Sequence, residues 1–176
     1  MKFSRKWAMP DGETFSIKPI REFVNKYLKQ SKIVIDPFSR DADLATHTND
    51  LNPKTKAKNH LDVLDFLTLL KKDKVLADLV LFDPPYSLRQ MKEIYQGIGI
   101  DKLSMTDTQR LGRWTKEKHL LDELLNEKGI VLSFGWNTLG MGKMRGFEII
   151  EIMLVSHGGA HNDTICMAER RSEGLI

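Results

Sequence analysis

The segment LVLFDPPY, at residues 79–86, is an apolar run that stops at an acid followed by two prolines. A short, continuous apolar run of this kind is typical of a strand buried on both faces of a parallel sheet. Because proline has no N–H to donate to a neighbouring strand, the pattern predicts that the strand ends at Phe82. Asp83 and Tyr86 are then expected just beyond the carboxyl end of a central strand.

Similar patterns occur on both sides of this segment. The other predicted strands are 32–35, 130–134 and the two arms of a hairpin, 147–155 and 164–168. The predicted helices are 20–28, 61–70 and 120–125, with Gly129 as the C-cap of the last one. Buried strands that alternate with amphipathic helices predict a mostly parallel α/β sheet in a single domain spanning 1–176, with a C-terminal antiparallel hairpin.

Two of the predicted strands end in the same dipeptide, Asp36-Pro37 in one case and Asp83-Pro84 in the other. For either pair alone, strand termination is the simpler explanation, because both residue types are common in turns. In open α/β sheets, however, ligands bind at the carboxyl ends of the strands. The repeated Asp-Pro therefore marks this edge as the candidate functional site.

The composition of the chain excludes several classes of protein. It has 176 residues, of which 41% are hydrophobic and 29% charged, an ordinary balance for a globular domain. Its only cysteine, Cys166, excludes an internal disulfide framework and a Cys-rich zinc module. The N-terminus lacks the apolar run of a signal peptide, and no stretch approaches about 18 apolar residues. We therefore expect a cytoplasmic protein with no membrane partner, and the net charge of +3 permits nucleic-acid binding without requiring it.

The DPPY segment carries the groups that could activate an amine conjugated to a purine or pyrimidine ring. The lone pair of such an amine is delocalised into the ring, so its nitrogen is a poor nucleophile. The carboxylate of Asp83 and the backbone carbonyl of Pro84 can accept its two hydrogens and so localise the lone pair. The prolines keep the loop rigid, and Tyr86 offers a flat face on which an extruded base can stack.

Asp83-Pro84-Pro85-Tyr86 after a hydrophobic strand resembles the catalytic motif of amino-group DNA methyltransferases, which use S-adenosylmethionine. The form that begins with Asp resembles the N6-adenine enzymes more than the N4-cytosine ones. The resemblance implies a site-specific, adenine-specific DNA methyltransferase in which these four residues are catalytic. It also implies the class I methyltransferase fold, a Rossmann-like, mostly parallel sheet of seven strands with helices on both faces. This core would occupy nearly the whole chain and leave no separate target-recognition domain.

Further segments resemble the cofactor-binding motifs of that family, in the same order along the chain. The resemblance assigns S-adenosylmethionine binding to Phe15, Ser16, Ile17, Asp36, Pro37, Phe38, Asp50, Leu51, Asp62 and Val63. One departure concerns residues 39–42, SRDA, which contain no glycine where the family has its glycine-rich turn. The short separation of Asp36 from Asp50 also leaves little room for the usual helix between them.

Basic residues of two polar segments, 87–116 and 137–146, are candidates for contact with nucleic-acid phosphates. They are Arg89, Arg110, Arg113, Lys143 and Arg145. The glycines of 140–146 are a near miss for a dinucleotide-binding loop and follow a late strand rather than the first one. The histidines and the acid of HGGAHND, at 157–163, have spacings that could ligate a metal, but a hairpin loop is the simpler interpretation and no metal is predicted.

Two alternatives to the main interpretation stay open. The same chemistry could act on adenine in RNA, because the motif contacts the base and not the sugar. A non-catalytic nucleic-acid-binding or regulatory relative could have lost cofactor binding through its glycine-poor loop. The expected partners are nucleic acid, with DNA favoured over RNA, and either a second copy of the chain or a specificity partner.

Overall fold

One seven-stranded sheet forms the centre of the molecule, which a computed structural model describes over residues 1–99 and 113–172. The strands are β1 (Lys2–Trp7), β2 (Val34–Asp36), β3 (His47–Thr48), β4 (Ala77–Phe82), β5 (Leu125–Gly135), β6 (Phe147–Ser156) and β7 (Thr164–Arg171). Their order across the sheet is β1-β6-β7-β5-β4-β2-β3. Strand β7 is antiparallel to both of its neighbours, and all other neighbouring pairs are parallel. The predicted sheet with a C-terminal antiparallel hairpin is confirmed.

Helices cover both faces of this sheet, as predicted. In the described part of the chain they are α1 (Lys18–Leu28), α2 (Val63–Lys72), α3 (Leu88–Gly97) and α4 (Thr115–Leu124). Helix α1 buries Phe23 in one core together with Leu81 of β4. Helices α2 and α4 bury Phe66 and Leu121 in a second core together with Val80 of β4. Side chains of successive β4 residues pack alternately into the two cores, because side chains of a strand alternate between its faces.

The DPPY segment is held between the end of a strand and the start of a helix. Strand β4 ends at Phe82, as the prolines predicted, and it lies between β2 and β5 in the middle of the sheet. Helix α3 begins directly after the segment, where the hydroxyl of Ser87 accepts the N–H of Gln90 at 3.2 Å. This N-cap satisfies an N–H that the first helical turn leaves free. Residues 83–86 therefore have a short, constrained path.

The position of Gly129 differs from the sequence prediction. It was expected to cap the helix before β5, but α4 ends at Leu124 and Gly129 lies inside β5. A Cβ at this position would lie 2.6 Å from Cδ2 of Leu125 and 3.0 Å from the carbonyl oxygen of Ala77. The glycine is explained by a close approach within the sheet, where the β4–β5 register shifts, and not by a helix end.

Strand β1 was missed in the sequence, where the first predicted element begins after Pro10. Five of its six residues are exposed, so it has no alternation of buried and exposed side chains to detect. It is a strand because its backbone pairs with β6, from Lys2 beside Glu151 to Trp7 beside Ser156. This pairing joins residues about 150 positions apart and depends on the finished sheet.

Candidate functional site

A cavity of about 580 Å³ opens at the carboxyl ends of β2, β3 and β4. Its wall is formed by residues within 12–15, 37–42, 49–63 and 83–97, together with Trp114. Small-molecule sites commonly have volumes of about 300–1,000 Å³. The cavity therefore has the size of a ligand site and lies at the edge where open α/β sheets bind their ligands.

Asp83 presents a carboxylate to this cavity in a setting that favours its protonated form. Its Oδ1 is buried and accepts no hydrogen bond from any residue that the structure describes. Burial raises the pKa of Asp83 to about 7, while a side-chain hydrogen bond with Thr14 and the charge of Arg40 act in the opposite direction. A pKa near neutrality lets this carboxyl exchange a proton at the pH of the cell. All four residues of the DPPY segment lie in the cavity wall.

Asp36, at the end of β2, is a second buried carboxyl close to Asp83. Its Oδ1 accepts the N–H of Phe38 at 3.1 Å, and its Oδ2 is buried with no partner among the described residues. Burial raises the pKa of Asp36 well above its usual range, and the charges of Asp83 and Asp50 act in the same direction. Buried polar atoms in proteins are normally paired, so the two unpaired oxygens make this edge of the sheet a candidate binding site.

The turn after β2 is made without glycine, through Arg40. This residue has a φ of 49°, in the left-handed region, which costs a residue with a side chain about 1–2 kcal/mol. Its guanidinium forms an ion pair with Glu13 at 3.0 Å and donates to the carbonyl of Gly12. The chain thus turns here without a glycine, and the Arg40 side chain connects this turn to the segment at 12–14.

Two further acids lie in the wall towards α2. Burial raises the pKa of Asp50, although its carboxylate accepts the N–H of Asn52 at 2.8 Å and a backbone hydrogen bond from Arg40. Asp62 is the N-cap of α2 and accepts the N–H of Leu64 at 2.9 Å. Carboxylates at the end of a strand and at the start of a helix can accept hydrogen bonds from hydroxyl or amino groups of a ligand.

Seven of the ten residues assigned to the cofactor lie in the cavity wall. They are Phe15, Pro37, Phe38, Asp50, Leu51, Asp62 and Val63. Ser16 is exposed and its hydroxyl donates to the carbonyl of Glu13, whereas Ile17 is buried in the core beneath α1. Asp36 is fully buried and is not among the wall residues.

Several wall residues were assigned no role from the sequence, among them Thr14, Arg40 and Asn49. Asn49 is buried, and its amide hydrogen-bonds the carbonyls of Pro37 and Leu61 and the N–H of Leu61. These hydrogen bonds connect the turn after β2 to Leu61, which lies just before α2. No local pattern marks such a residue, because its partners are distant in the chain.

The described residues among the predicted phosphate contacts lie in separate segments of the chain. Arg89 and Arg113 are exposed, and Arg89 is paired with Glu93 at 2.8 Å. Lys143 is exposed, while the guanidinium of Arg145 donates to the carbonyl of Met141 at 3.0 Å. Arg110 lies outside the described residues.

Two N–H groups of the glycine-containing loop at 140–146 are bound by a carboxylate of the same chain. The carboxylate of Glu169, which is buried on β7, accepts the N–H of Met141 at 2.7 Å and that of Gly142 at 3.1 Å. Donors that could have bound a phosphate are therefore used by an acid of the same chain. The dinucleotide-loop interpretation, already weak in the sequence, has no free donors at these two positions.

The HGGAHND segment forms the loop between β6 and β7. One ring nitrogen of His157 is hydrogen-bonded with the carbonyl of Ala8 at 2.9 Å and the other with the hydroxyl of Thr164 at 2.8 Å. Asp163 accepts the N–H of His157 and the hydroxyl of Ser156. Over residues 1–99 and 113–172, no group of three or more His, Cys, Asp or Glu side chains could hold a metal ion.

Comparison with known proteins finds similarity at the level of structure. No protein-family model matches the chain, and no curated protein matches its sequence. SMU.776, described as a methyltransferase and solved with S-adenosylhomocysteine, aligns with a TM-score of 0.57 and 14% identity over 85% of this chain and 48% of its own. An S-adenosylmethionine-dependent methyltransferase from Agrobacterium tumefaciens aligns with a TM-score of 0.54 and 13% identity over 86% and 61%. YhhF from Escherichia coli, also described as a methyltransferase, aligns with a TM-score of 0.55 and 12% identity over 94% and 91%.

The chain has the class I methyltransferase fold. At 12–14% identity, the similarity establishes the architecture and carries no residue roles with it. The chain spans about half the length of SMU.776 and most of the length of YhhF. Among the described residues of this methyltransferase fold, no helix is long and apolar enough to cross a membrane.

Proposed function

We propose that the chain transfers a methyl group from S-adenosylmethionine to the exocyclic N6 amine of adenine in DNA. The observation that carries the proposal is the DPPY segment at the end of β4, with a buried, unpartnered carboxylate oxygen of Asp83 in the wall of the large cavity. The fold supports the part of the proposal that concerns S-adenosylmethionine, since structures that share it include S-adenosylmethionine-dependent methyltransferases.

The large cavity fits S-adenosylmethionine in size and in the chemistry of its wall. The carboxyls of Asp50, Asp62 and Asp83 in its wall suit a ligand with a positive charge and hydrogen-bond donors, and the structurally similar SMU.776 binds S-adenosylhomocysteine. In this proposal Asp50 and Asp62 accept hydrogen bonds from the cofactor, while Phe15, Phe38 and Val63 cover its apolar surface. When bound, S-adenosylmethionine supplies an electrophilic methyl group on sulfonium sulfur.

Asp83 and Pro84 orient and activate the target amine. The carboxylate of Asp83 and the carbonyl of Pro84 accept the two amine hydrogens, which draws the nitrogen towards tetrahedral geometry. With a pKa of about 7, Asp83 can also take up the proton that the nitrogen loses when it becomes methylated. Tyr86 stacks on the target base, and the two prolines keep these groups in place.

Nucleic acid is the substrate class that this arrangement favours, because a flat conjugated amine needs both the two acceptors and the stacking ring. In this proposal the exposed Arg89, Arg113 and Lys143, together with Arg145 and Arg110, contact the phosphates. RNA is the alternative substrate, since the groups that bind the base make no distinction between the two sugars.

The test is a labelled-methyl transfer assay with S-adenosylmethionine on single-stranded DNA, duplex DNA and RNA. We expect transfer to adenine in DNA, and a fall of at least about 100-fold in Asp83→Ala. Calorimetric titration should show that Asp83→Ala still binds the cofactor. The matched control is Asp73→Ala, an exposed acid at the far end of α2, which should transfer at the wild-type rate.

Three outcomes would contradict the proposal in different ways. Transfer to RNA alone would establish the same chemistry on the alternative substrate. Undiminished transfer by Asp83→Ala would remove the assigned role of the carboxylate. Failure of the wild-type chain to bind S-adenosylmethionine, with or without nucleic acid, would favour the non-catalytic relative.

A further inference from the structure

A second, smaller cavity of about 80 Å³ adjoins the large one. The two cavities share Pro84, Pro85, Tyr86 and Trp114 as a common wall. The remaining wall of the smaller cavity includes Phe82, Lys118, Ser133 and Trp136. It therefore lies against the DPPY segment, towards β5 and the start of α4.

Buried polar atoms without partners line this smaller cavity. Ser133 is 9% exposed and Trp114 is 4% exposed, and neither Oγ of the serine nor Nε1 of the indole has a partner among the described residues. The hydroxyl of Tyr86 is buried and unpartnered in the same way. Leaving a buried donor or acceptor unpaired costs about 1–3 kcal/mol, so three such atoms around one cavity indicate a bound polar partner.

The local structure shows that Ser133 and Trp114 are unusual for their positions. Ser133 lies beside Phe82 and Met167 in the sheet, where both neighbours are apolar and buried. Trp114 has a φ of 48°, a strained conformation for a bulky residue, and its ring is edge-on to Phe38 at 5.3 Å and to Phe82 at 6.4 Å. Strain of this kind persists where the surroundings hold a residue in place for a function.

Lys118 adds a positive charge to the same cavity wall. It lies one turn after Trp114 on α4, its N–H donates to the carbonyl of Trp114, and the residue is only 6% exposed. Its ammonium is 6.0 Å from the ring centre of Phe82. Burial lowers the pKa of Lys118, as does the charge of Arg145, while Glu117 and Glu169 raise it.

These groups define the chemistry of the ligand. An indole N–H and an ammonium only donate hydrogen bonds, so the ligand must offer acceptors on its buried edge. The rings of Tyr86 and Trp136, whose centres are 5.6 Å apart, favour a flat ligand. A nucleobase combines ring nitrogen or carbonyl acceptors with two flat faces, whereas a phosphate has no flat face.

We infer that the smaller cavity is the pocket for the target base and that Lys118, Ser133 and the indole of Trp114 bind the acceptor edge of that base. This inference rests on the proposed function, since it supplies the base whose amine meets Asp83 and Pro84. The three residues are specificity-determining residues: they select a base by its acceptors while the DPPY segment holds its amine.

The test measures base binding separately from methyl transfer. A short, labelled single-stranded oligothymidylate with one central adenine is compared with the same oligonucleotide carrying a central abasic site, both with S-adenosylhomocysteine present. Thymine has no exocyclic amine for Asp83, so the flanking bases are poor occupants of the pocket. For the wild-type chain, we expect the abasic oligonucleotide to bind about tenfold more weakly.

Two variants should reduce this preference for the base. Ser133→Ala and Lys118→Met should each lower the tenfold ratio to about threefold or less, because each removes one hydrogen bond to the base. Lys128→Met, an exposed lysine near the opposite end of β5, should keep the wild-type ratio. Ser133→Ala should also melt at or above the wild-type temperature, since it removes an unpaired buried hydroxyl.

The outcomes separate this inference from the proposed function. Equal affinity of the wild-type chain for the base-containing and abasic oligonucleotides would overturn the inference. It would also be overturned if Ser133→Ala and Lys118→Met both kept the wild-type ratio of these two affinities. A lower melting temperature for Ser133→Ala with an unchanged ratio would show that the serine is structural. A tenfold ratio without methyl transfer to any substrate would support the pocket and refute the proposed chemistry.

Discussion

Asp83 shows how the environment of one residue turns a common side chain into a reactive one. Its sequence neighbours place it at a strand end, but burial raises its pKa to about 7 while Thr14 and Arg40 lower it. Neither Thr14 nor Arg40 adjoins Asp83 in the chain. If Asp83 acts as an acceptor for the amine, it must be ionised. Methyl transfer should therefore rise with pH through a midpoint near 7.

Replacing Arg40 should move that midpoint. The positive charge of Arg40 lowers the pKa of Asp83, so Arg40→Ala should shift the pH–rate profile to higher pH, by a fraction of a unit for a partly exposed charge. Arg40→Lys keeps the charge and should keep the midpoint closer to that of the wild type. The measurement is kcat/KM for methyl transfer between about pH 5.5 and 9, and an unshifted midpoint in Arg40→Ala would exclude this electrostatic coupling.

At the scale of elements, the connection between β5 and β6 shows how a loop is held by a distant strand. Glu169 of β7 accepts hydrogen bonds from the N–H groups of Met141 and Gly142. The position of this loop therefore depends on the β6–β7 hairpin. Gly140 precedes them with a φ of 39°, and a Cβ there would overlap the carboxylate of Glu169 and Cε of Met167. Only glycine fits this position without displacing the acid.

Gly140→Ala should therefore destabilise the protein, by about 2 kcal/mol or more. Thermal melting measures the effect, which should appear as a fall in Tm of roughly 4–8 °C. The matched control is Gly97→Ala, because a Cβ at Gly97 meets no atom within 4 Å and its φ is not in the left-handed region. Equal melting temperatures for the two variants would mean that the loop and Glu169 move apart at little cost.

At the scale of the whole molecule, the methyltransferase fold accounts for nearly all of the described chain, with the large cavity at the carboxyl edge of its single sheet. The described cations assigned to phosphate contact lie in separate segments of the chain, and the net charge of the chain is only +3. We accordingly propose that the described residues form one catalytic domain, and that this chain binds nucleic acid weakly when alone.

Low sequence selectivity should follow for the 176-residue chain assayed alone. In a pool of single-stranded oligonucleotides with random sequence around one adenine, methylated products should vary by less than about tenfold between contexts, because each specific base contact contributes about 1–3 kcal/mol and few contacts are available. Sequencing of the methylated fraction measures this. A single strongly preferred sequence would show that loops of this chain read the flanking bases.

The contributions of sequence and tertiary structure can be separated at particular residues. The end of β4 at Phe82 and the hairpin of β6 and β7 were predictable, because apolar runs, prolines and glycines act through neighbours in the chain. Strand β1 and the interior position of Gly129 were not, because both depend on backbone pairing across the sheet. The left-handed turn at Arg40 occurs without the glycine that normally marks it.

By itself, the sequence determined the alternation of apolar strands with amphipathic helices and the motif that ends β4, since both depend on local pattern. Only the tertiary structure decided which side chains surround that motif. Arg40 and Glu13 meet beside the large cavity, and Trp114, Lys118 and Ser133 meet beside the smaller one, although they come from different elements. Burial, unpaired polar atoms and shifted pKa values arise from such distant contacts, because they depend on how much water the packed elements exclude.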